Sequence, residues 1–254
     1  MREAAIQEPF TDLYVALRQK EGRIYSDEEV RLLPQVFADH PCYKEWNIRS
    51  RGAGNLLRHI AKNGHICNIL DIGCGNGWLS AKLAKVARGK VTGVDINTTE
   101  LNQARKVFGE IPNLRFVNGD IRSGILSDQR YDLLVFAASV QYFPSLDEIL
   151  KVAVCHLTLQ GEIHLLDSHL YRRSELAAAR LRSKAYFTQL GFQEMEKHYF
   201  HHCLDDLHPF SHTILHNPHS PVSKFSLHRN PFHWVLIKNS NSPKNAQEVF
   251  NINI

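Results

Sequence analysis

The sequence predicts an α/β protein built on a doubly wound sheet, and three observations carry that expectation. From residue 68 onward, short apolar runs alternate with segments of helix length, the pattern of right-handed crossovers between parallel strands. The run YDLLVFAA (131–138) is almost wholly apolar, as suits a central parallel strand covered on both faces. A glycine-rich turn, residues 73–77, ends the first run and opens a helix.

The elements follow in order. Residues 1–66 read as helical. Asp27 can cap a segment carrying Val30, Leu32, Leu33, Val36 and Phe37, broken near His40 and Pro41. A second helix over about 43–62 sets Trp46, Arg49, Ala53, Leu57 and Ile60 on one face at spacings of three and four. NILDI (68–72) is the first strand, WLSAKLAKVA (78–87) a helix and KVTGVDI (90–96) the second strand. A helix over 98–108 leads to LRFVNGD (114–120), then to the strand at 131–138. A helix over 146–157 leads to GEIHLLDS (161–168). A helix over about 172–190 stops at Gly191, a suitable position for a left-handed cap. FQEMEKHYF (192–200) and HWVLIKN (233–239) read as two final strands, with 203–231 as a long insertion between them and 239–254 as a polar tail. An insertion of that length favours a binding or assembly role over a simple connector.

Composition sets the broad class. The 254 residues are 43% hydrophobic and 22% charged, which is ordinary for a globular protein with a sizeable core. No apolar run is long enough to span a membrane. The opening MREAAIQEPFTDLY carries acids and lacks the apolar centre of a secretory signal. Five cysteines, an odd number with no C-x-x-C pair, fit free thiols in a reducing cytoplasmic setting. The densest basic stretch (Arg172, Arg173, Arg180, Arg182 and Lys184) is interrupted by Glu175. It reads as a solvated helix face, not as a nucleic-acid footprint. The sequence fixes neither an oligomeric state nor an acceptor atom.

The chemistry concentrates at Asp71-Ile72-Gly73-Cys74-Gly75-Asn76-Gly77. A tight strand-to-helix turn needs backbone angles that glycine reaches cheaply, and the missing Cβ lets a ligand touch backbone. The helix start adds free N–H groups and partial positive charge, suited to a carboxylate or phosphate. Asp95 ends the second strand eighteen residues after Gly77, where an acid can accept from both ribose hydroxyls. Asp120 ends the third strand, placed to accept from the exocyclic amine of adenine, with Ile121 beside it to cover the ring. A nicotinamide dinucleotide competes for the same motif. It wants a third glycine where this chain has Trp78, and Asp71 would sit poorly beside a pyrophosphate.

The ordered set D-I-G-C-G-N-G, V-D-I, N-G-D-I and Y-D-L-L-V-F-A-A-S, spanning about 66–168, resembles the motifs of class I S-adenosylmethionine-dependent methyltransferases, in particular those acting on small molecules. The resemblance implies a Rossmann-like seven-stranded sheet with its last strand antiparallel. It implies S-adenosylmethionine as cofactor, and a small molecule as acceptor. Gly73, Cys74, Gly75 and Gly77 would meet the methionyl part, and Asp71 its amino group. Asp95 and Ile96 would hold the ribose, Asp120 and Ile121 the adenine. Ala137 to Ser139 would line the pocket. The helices of 1–66 would form a lid, and Arg49 could reach the cofactor carboxylate or simply edge its helix face. A non-catalytic cofactor-binding module stands as the alternative.

After the fourth strand comes AASVQYFP (137–144), without the N/D-P-P-Y/F pattern of enzymes acting on planar amide or base nitrogens. Tyr142 is a pocket candidate, and equally a core tyrosine. Nine of fifteen histidines fall between His198 and His233. In this fold type the sixth strand parallels the fifth. If 192–200 is that strand, His201 and His202 emerge at the pocket as base or substrate ligand, near Asp167, Ser168 and His169. His208, His212 and His216 could instead share a helical face and bind metal, though Pro209 and Pro218 interrupt a helix and no carboxylates complete the site. Ordinary histidines in a polar insertion are the third reading. No metal ligand set is assigned.

Overall fold

The computed structural model describes residues 4–221, 223 and 229–239. The chain opens with three helices, α1 (Ala4–Lys20), α2 (Asp27–Leu32) and α3 (Tyr43–Lys62). The alternating part runs β1 (Ile69–Ile72), α4 (Trp78–Ala84), β2 (Val91–Asp95), α5 (Thr98–Phe108), β3 (Leu114–Asn118), β4 (Tyr131–Ala137), α6 (Leu146–Cys155) and β5 (Leu157–Leu166). Then follow β6 (Leu170–Tyr171), α7 (Leu176–Leu190), β7 (His202–Cys203), β8 (His212–His216) and β9 (Trp234–Lys238). The main sheet has seven strands in the order β3-β2-β1-β4-β5-β9-β8. Neighbours are parallel from β3 through β5. The last strand, β9, runs antiparallel to both β5 and β8.

The expected Rossmann-like, seven-stranded sheet is therefore present, but its sixth strand comes from elsewhere. Residues 193–198 form a 3-10 helix, and β7 makes only a two-residue parallel pair with β6. Phe192, Met195 and Tyr199, spaced by three and four, join Leu17 and Phe187 in a hydrophobic cluster between α1 and α7. That helical spacing overrides a strand reading. The sixth strand is β8, inside the segment read as an insertion, so this segment completes the sheet. The helical metal face falls with it. His212 and His216 lie at the two ends of β8, roughly 13 Å apart along an extended chain. Their rings bond to the carbonyls of Phe210 (2.9 Å) and Asn230 (3.2 Å). The tail beyond residue 239, with residues 222 and 224–228 of the histidine-rich segment, lies outside the described residues.

Side-chain alternation sorts the sheet's apolar residues onto two faces. Leu133 and Val135 of β4 pack with Ile69, Val91 and the buried stripe of α3 (Trp46, Ala53, Leu56, Ile60). Leu134 and Phe136 pack with Ile72, Val94 and α6. Leu56, not Leu57, is the fully buried position on α3. Ser26, not Asp27, caps α2. Its hydroxyl accepts from Glu29 N–H (3.2 Å), and Glu29 accepts from Ser26 N–H (2.7 Å), a reciprocal box. The helix ends at Leu32, well short of Phe37, because Leu33 precedes a proline and is extended.

One polar group crosses this core. Glu162 of β5 accepts from His164 Nε2 (3.0 Å) and from His59 Nε2 of α3 (2.5 Å). Trp234 Nε1 of β9 donates to His164 Nδ1 (2.8 Å). These ligand atoms are close enough to suggest a metal site, and theirs is the one such group among the described residues. The tautomer argues against that. An indole N–H only donates, so His164 Nδ1 accepts and Nε2 carries the proton, leaving no lone pair there for a metal. Burial would raise the Glu162 pKa, but the bonds from His164 and His59 outweigh it and bring the pKa down to about 2. The charged form is thus favoured by folding. Its stabilisation is complete above the ordinary carboxylate range and fades as pH falls toward 2. Glu162→Gln should cost roughly 2–3 kcal/mol at neutral pH and flatten the acid limb of a stability-against-pH curve. Denaturant melts from pH 2 to 7 that overlay wild type at every pH would contradict this.

Candidate active site

Strand order reverses between β1 and β4, and the ends of those strands open a crevice there, the usual ligand position in such sheets. A cavity of about 450 Å³ fills it. The β1–α4 turn forms its floor. Gly73, Gly75 and Gly77 have φ of 72°, 52° and 76°, so all three are left-handed. Gly73 N–H donates to Val94 O (2.8 Å). A Cβ on Gly73 would come within 2.5 Å of Ser139 Cβ. Ser139 is itself pinned, its hydroxyl donating to Ile72 O at 2.7 Å.

Acids surround this floor. Asp71, 1% exposed, accepts from Ser80 Oγ (2.6 Å). Burial raises its pKa to about 7 against the opposing Ser80 bond. Asp95 accepts from Gly75 N–H and Asn97 N–H, each at 2.8 Å; burial still raises it. Glu100, in the first turn of α5, is pushed up to about 8 by burial and by the charge of Asp95. Asp167 follows β5 with φ of 53°. Its buried Oδ1 has no hydrogen-bond partner, and burial, opposed by Arg49, brings it to about 6. Buried acids held this high form a site whose electrostatics favour a cation.

The structure brings Asp71, Gly73, Cys74, Gly75, Asp95, Ile96, Asp120, Ile121, Ala137, Arg49 and Tyr142 to the lining of this one cavity. Gly77 stands behind it, where a Cβ would come within 2.6 Å of Phe116. The Asp120 carboxylate is held by Arg122, at 2.5 Å from Nη2, and also accepts from Arg122 N–H. Arg49 pairs with Glu45 (3.2 Å) and lies over the Trp46 ring.

His201 and His202 are not in the lining, a correction to their expected place. His202 is 5% exposed and bonds to Val140 O (2.9 Å). His201 bonds to Ser183 Oγ of α7 (2.9 Å). The cause is the short β6–β7 pairing, which turns this segment away from the central sheet, while Phe200 N–H ties it to Gln141 O (2.7 Å). His198 and Phe200 line the cavity instead. Sequence reasoning also missed Glu100 and the α1 face of Phe10, Tyr14 and Arg18. The spacing of four between those three was a usable signal.

Comparison with known proteins agrees with this geometry. A family model described as a methyltransferase domain matches residues 69–161. Over 114 residues the chain is 34% identical to a trans-aconitate 2-methyltransferase from Enterobacter sp. (strain 638), covering 44% of this chain and 43% of that one. Over 78 residues it is 36% identical to a malonyl-[acyl-carrier protein] O-methyltransferase from Halalkalibacterium halodurans, covering 29% of each. The chain thus spans less than half the length of these curated relatives. Among solved structures, magnesium protoporphyrin IX methyltransferase from Synechocystis PCC 6803 shares the fold with a TM-score of 0.58 and 13% identity, over 93% of this chain and 98% of that one. Over residues 69–161 the chain is thus similar to methyltransferase domains, and the glycine turn and the strand-end acids Asp71, Asp95 and Asp120 all lie inside that matched stretch.

Proposed function

We propose that this chain transfers a methyl group from S-adenosylmethionine to a small-molecule acceptor. The observation that carries the reading is the single cavity joining the Gly73–Gly77 turn to Asp71, Asp95 and Asp120 at three successive strand ends. The residues fit the cofactor. Gly73 leaves room that a Cβ would fill, Asp167 Oδ1 is a buried acceptor without a partner, and the raised acids suit a ligand with cationic centres. Asp71 would face its ammonium group, Asp95 its ribose, and Arg49 its carboxylate.

When bound, the cofactor supplies a methyl group on a sulfonium for in-line displacement. The chain's own work is to position the acceptor and exclude water. The helices before residue 66 would do so as a lid, a reading supported by Phe10, Tyr14, Tyr25 and Trp46 in the cavity lining. A lid of that kind favours small acceptors over nucleic acid. Where an acceptor must lose a proton, His198 or Tyr142 is the group at hand. A cytosolic setting belongs to the same reading, supported by five free cysteines.

Incubation with methyl-labelled cofactor and an acceptor panel tests the proposal. Label should pass to an acceptor, and binding of the cofactor with no transfer to any would favour a binding module. The pH dependence is a second check. Asp71, raised to about 7, is half protonated near neutrality, and an adjacent ammonium group favours its carboxylate. Affinity for S-adenosylhomocysteine should therefore rise between about pH 6 and 8, and Asp71→Asn should flatten the rise. A flat wild-type profile by calorimetry would remove Asp71 from that role.

A further inference from the structure

Beyond the strand-end acids the cavity continues into a chamber walled by α1, by the turn after β4 and by residues 197–200. Its walls are aromatic. The rings of Phe10 and Tyr142 lie 6.0 Å apart, Tyr14 and Tyr142 meet edge-on at 5.6 Å, and Phe10 and His198 lie at 5.0 Å. Its walls carry basic side chains and no acidic ones. No acid among the lining residues comes from these three wall segments, whereas Arg18, Lys197 and His198 do.

Arg18 is the centre of this arrangement. Its side chain is 18% exposed, and the guanidinium lies 4.8 Å over the Tyr14 ring. Nη1 holds Glu21 at 2.5 Å. The opposite edge carries Nη2, which donates to Tyr142 Oη (2.5 Å), and Nε, which is buried without a hydrogen-bond partner. Such an edge matches a carboxylate in bidentate fashion. Tyr142, having accepted from Arg18, keeps its own hydroxyl proton to donate. A buried donor with no partner costs free energy until an acceptor arrives.

We infer that the methyl acceptor is a flat organic acid whose carboxylate docks on the Nε–Nη2 edge of Arg18 and the hydroxyl of Tyr142, with its body lying against the aromatic wall that Phe10, Tyr14 and Tyr142 form together. This rests on the cofactor reading above and adds the acceptor's charge and shape. Arg18 acts here as a specificity residue.

The test is calorimetry on the full chain saturated with S-adenosylhomocysteine. The probes are matched pairs of acid and amide: benzoate and benzamide, cinnamate and cinnamamide, 2-naphthoate and 2-naphthamide. At least one acid should bind about tenfold or more tightly than its amide. Arg18→Met should abolish that preference while S-adenosylhomocysteine affinity stays close to wild type, and Arg18→Lys should keep part of it. Tyr142→Phe, which leaves the guanidinium in place, should weaken the acid alone; it decides the matter if Arg18→Met fails to fold. Equal binding of acids and amides, no binding by any acid, or a preference that survives Arg18→Met overturns the proposal while leaving the cofactor reading intact. Failure of wild type to bind S-adenosylhomocysteine at all would instead sink the cofactor reading first.

Discussion

Gly73→Ala should abolish S-adenosylhomocysteine binding and lower the stability of the chain by about 2–4 kcal/mol. Two costs add. The residue sits at φ of 72°, where a Cβ costs roughly 1–2 kcal/mol. That Cβ would also stand 2.5 Å from Ser139 Cβ, and neither atom can rotate away because each is fixed to its own backbone. Ser139 is 4% exposed and bonded to Ile72 O, so relief must come from shifting the end of β4 against β1. That movement displaces the floor of the cavity itself. Gly124→Ala provides the control. Gly124 has φ of 78°, and a Cβ there would meet no atom within 4 Å, so only the conformational cost remains and binding should persist. Equal melting temperatures for the two variants would show that the Gly73–Ser139 contact does not constrain the turn.

Asp95→Ala should weaken S-adenosylhomocysteine by roughly 1.5–3 kcal/mol, about ten- to a hundredfold. A carboxylate at the end of β2 can accept two ribose hydroxyl protons, and the substitution removes both acceptors. The geometry adds a second effect. Asp95 already accepts from Gly75 N–H and Asn97 N–H, at 2.8 Å each, so the alanine variant also frees the middle of the glycine turn. Asp95→Asn separates the two contributions: it keeps an oxygen for one N–H, loses the charge, and should bind with intermediate affinity. Unchanged affinity for both variants by calorimetry would mean the ribose goes elsewhere.

The first half of the alternating region was legible because each element declares itself locally. Runs such as YDLLVFAA, short, apolar and set between turn signals, suit covered strands, and the glycines of 73–77 mark a turn that few other residues tolerate. The later region was not legible, for a physical reason. Strand β8 lies at the sheet edge with Ile214 and Leu215 exposed, so burial imposes no alternation on its sequence. Residues 192–200 mislead in the opposite direction, since their apolar residues serve a satellite cluster with α1 and α7. The site divides in the same way. The strand-end acids Asp71, Asp95 and Asp120 follow from strand spacing. Glu100 reaches the cavity only through tertiary placement, whereas the α1 residues share a helical spacing of four that marks a common face without saying what it covers.

Helix α3 is fastened to β5 at two points. His59 meets Glu162 near the start of the exposed-to-buried run of that strand, and Gly52 lies against Asp167 just past its end. The two contacts sit roughly 10 Å apart along the second half of α3, one a hydrogen bond and the other close packing, and together they set that half of the helix against the strand. On the lid reading proposed above, entry to the cavity then falls to α1, whose connection to the rest of the chain passes through Gly22, left-handed at φ of 67° with open space around it. On that reading the doorway and the doorpost are different helices.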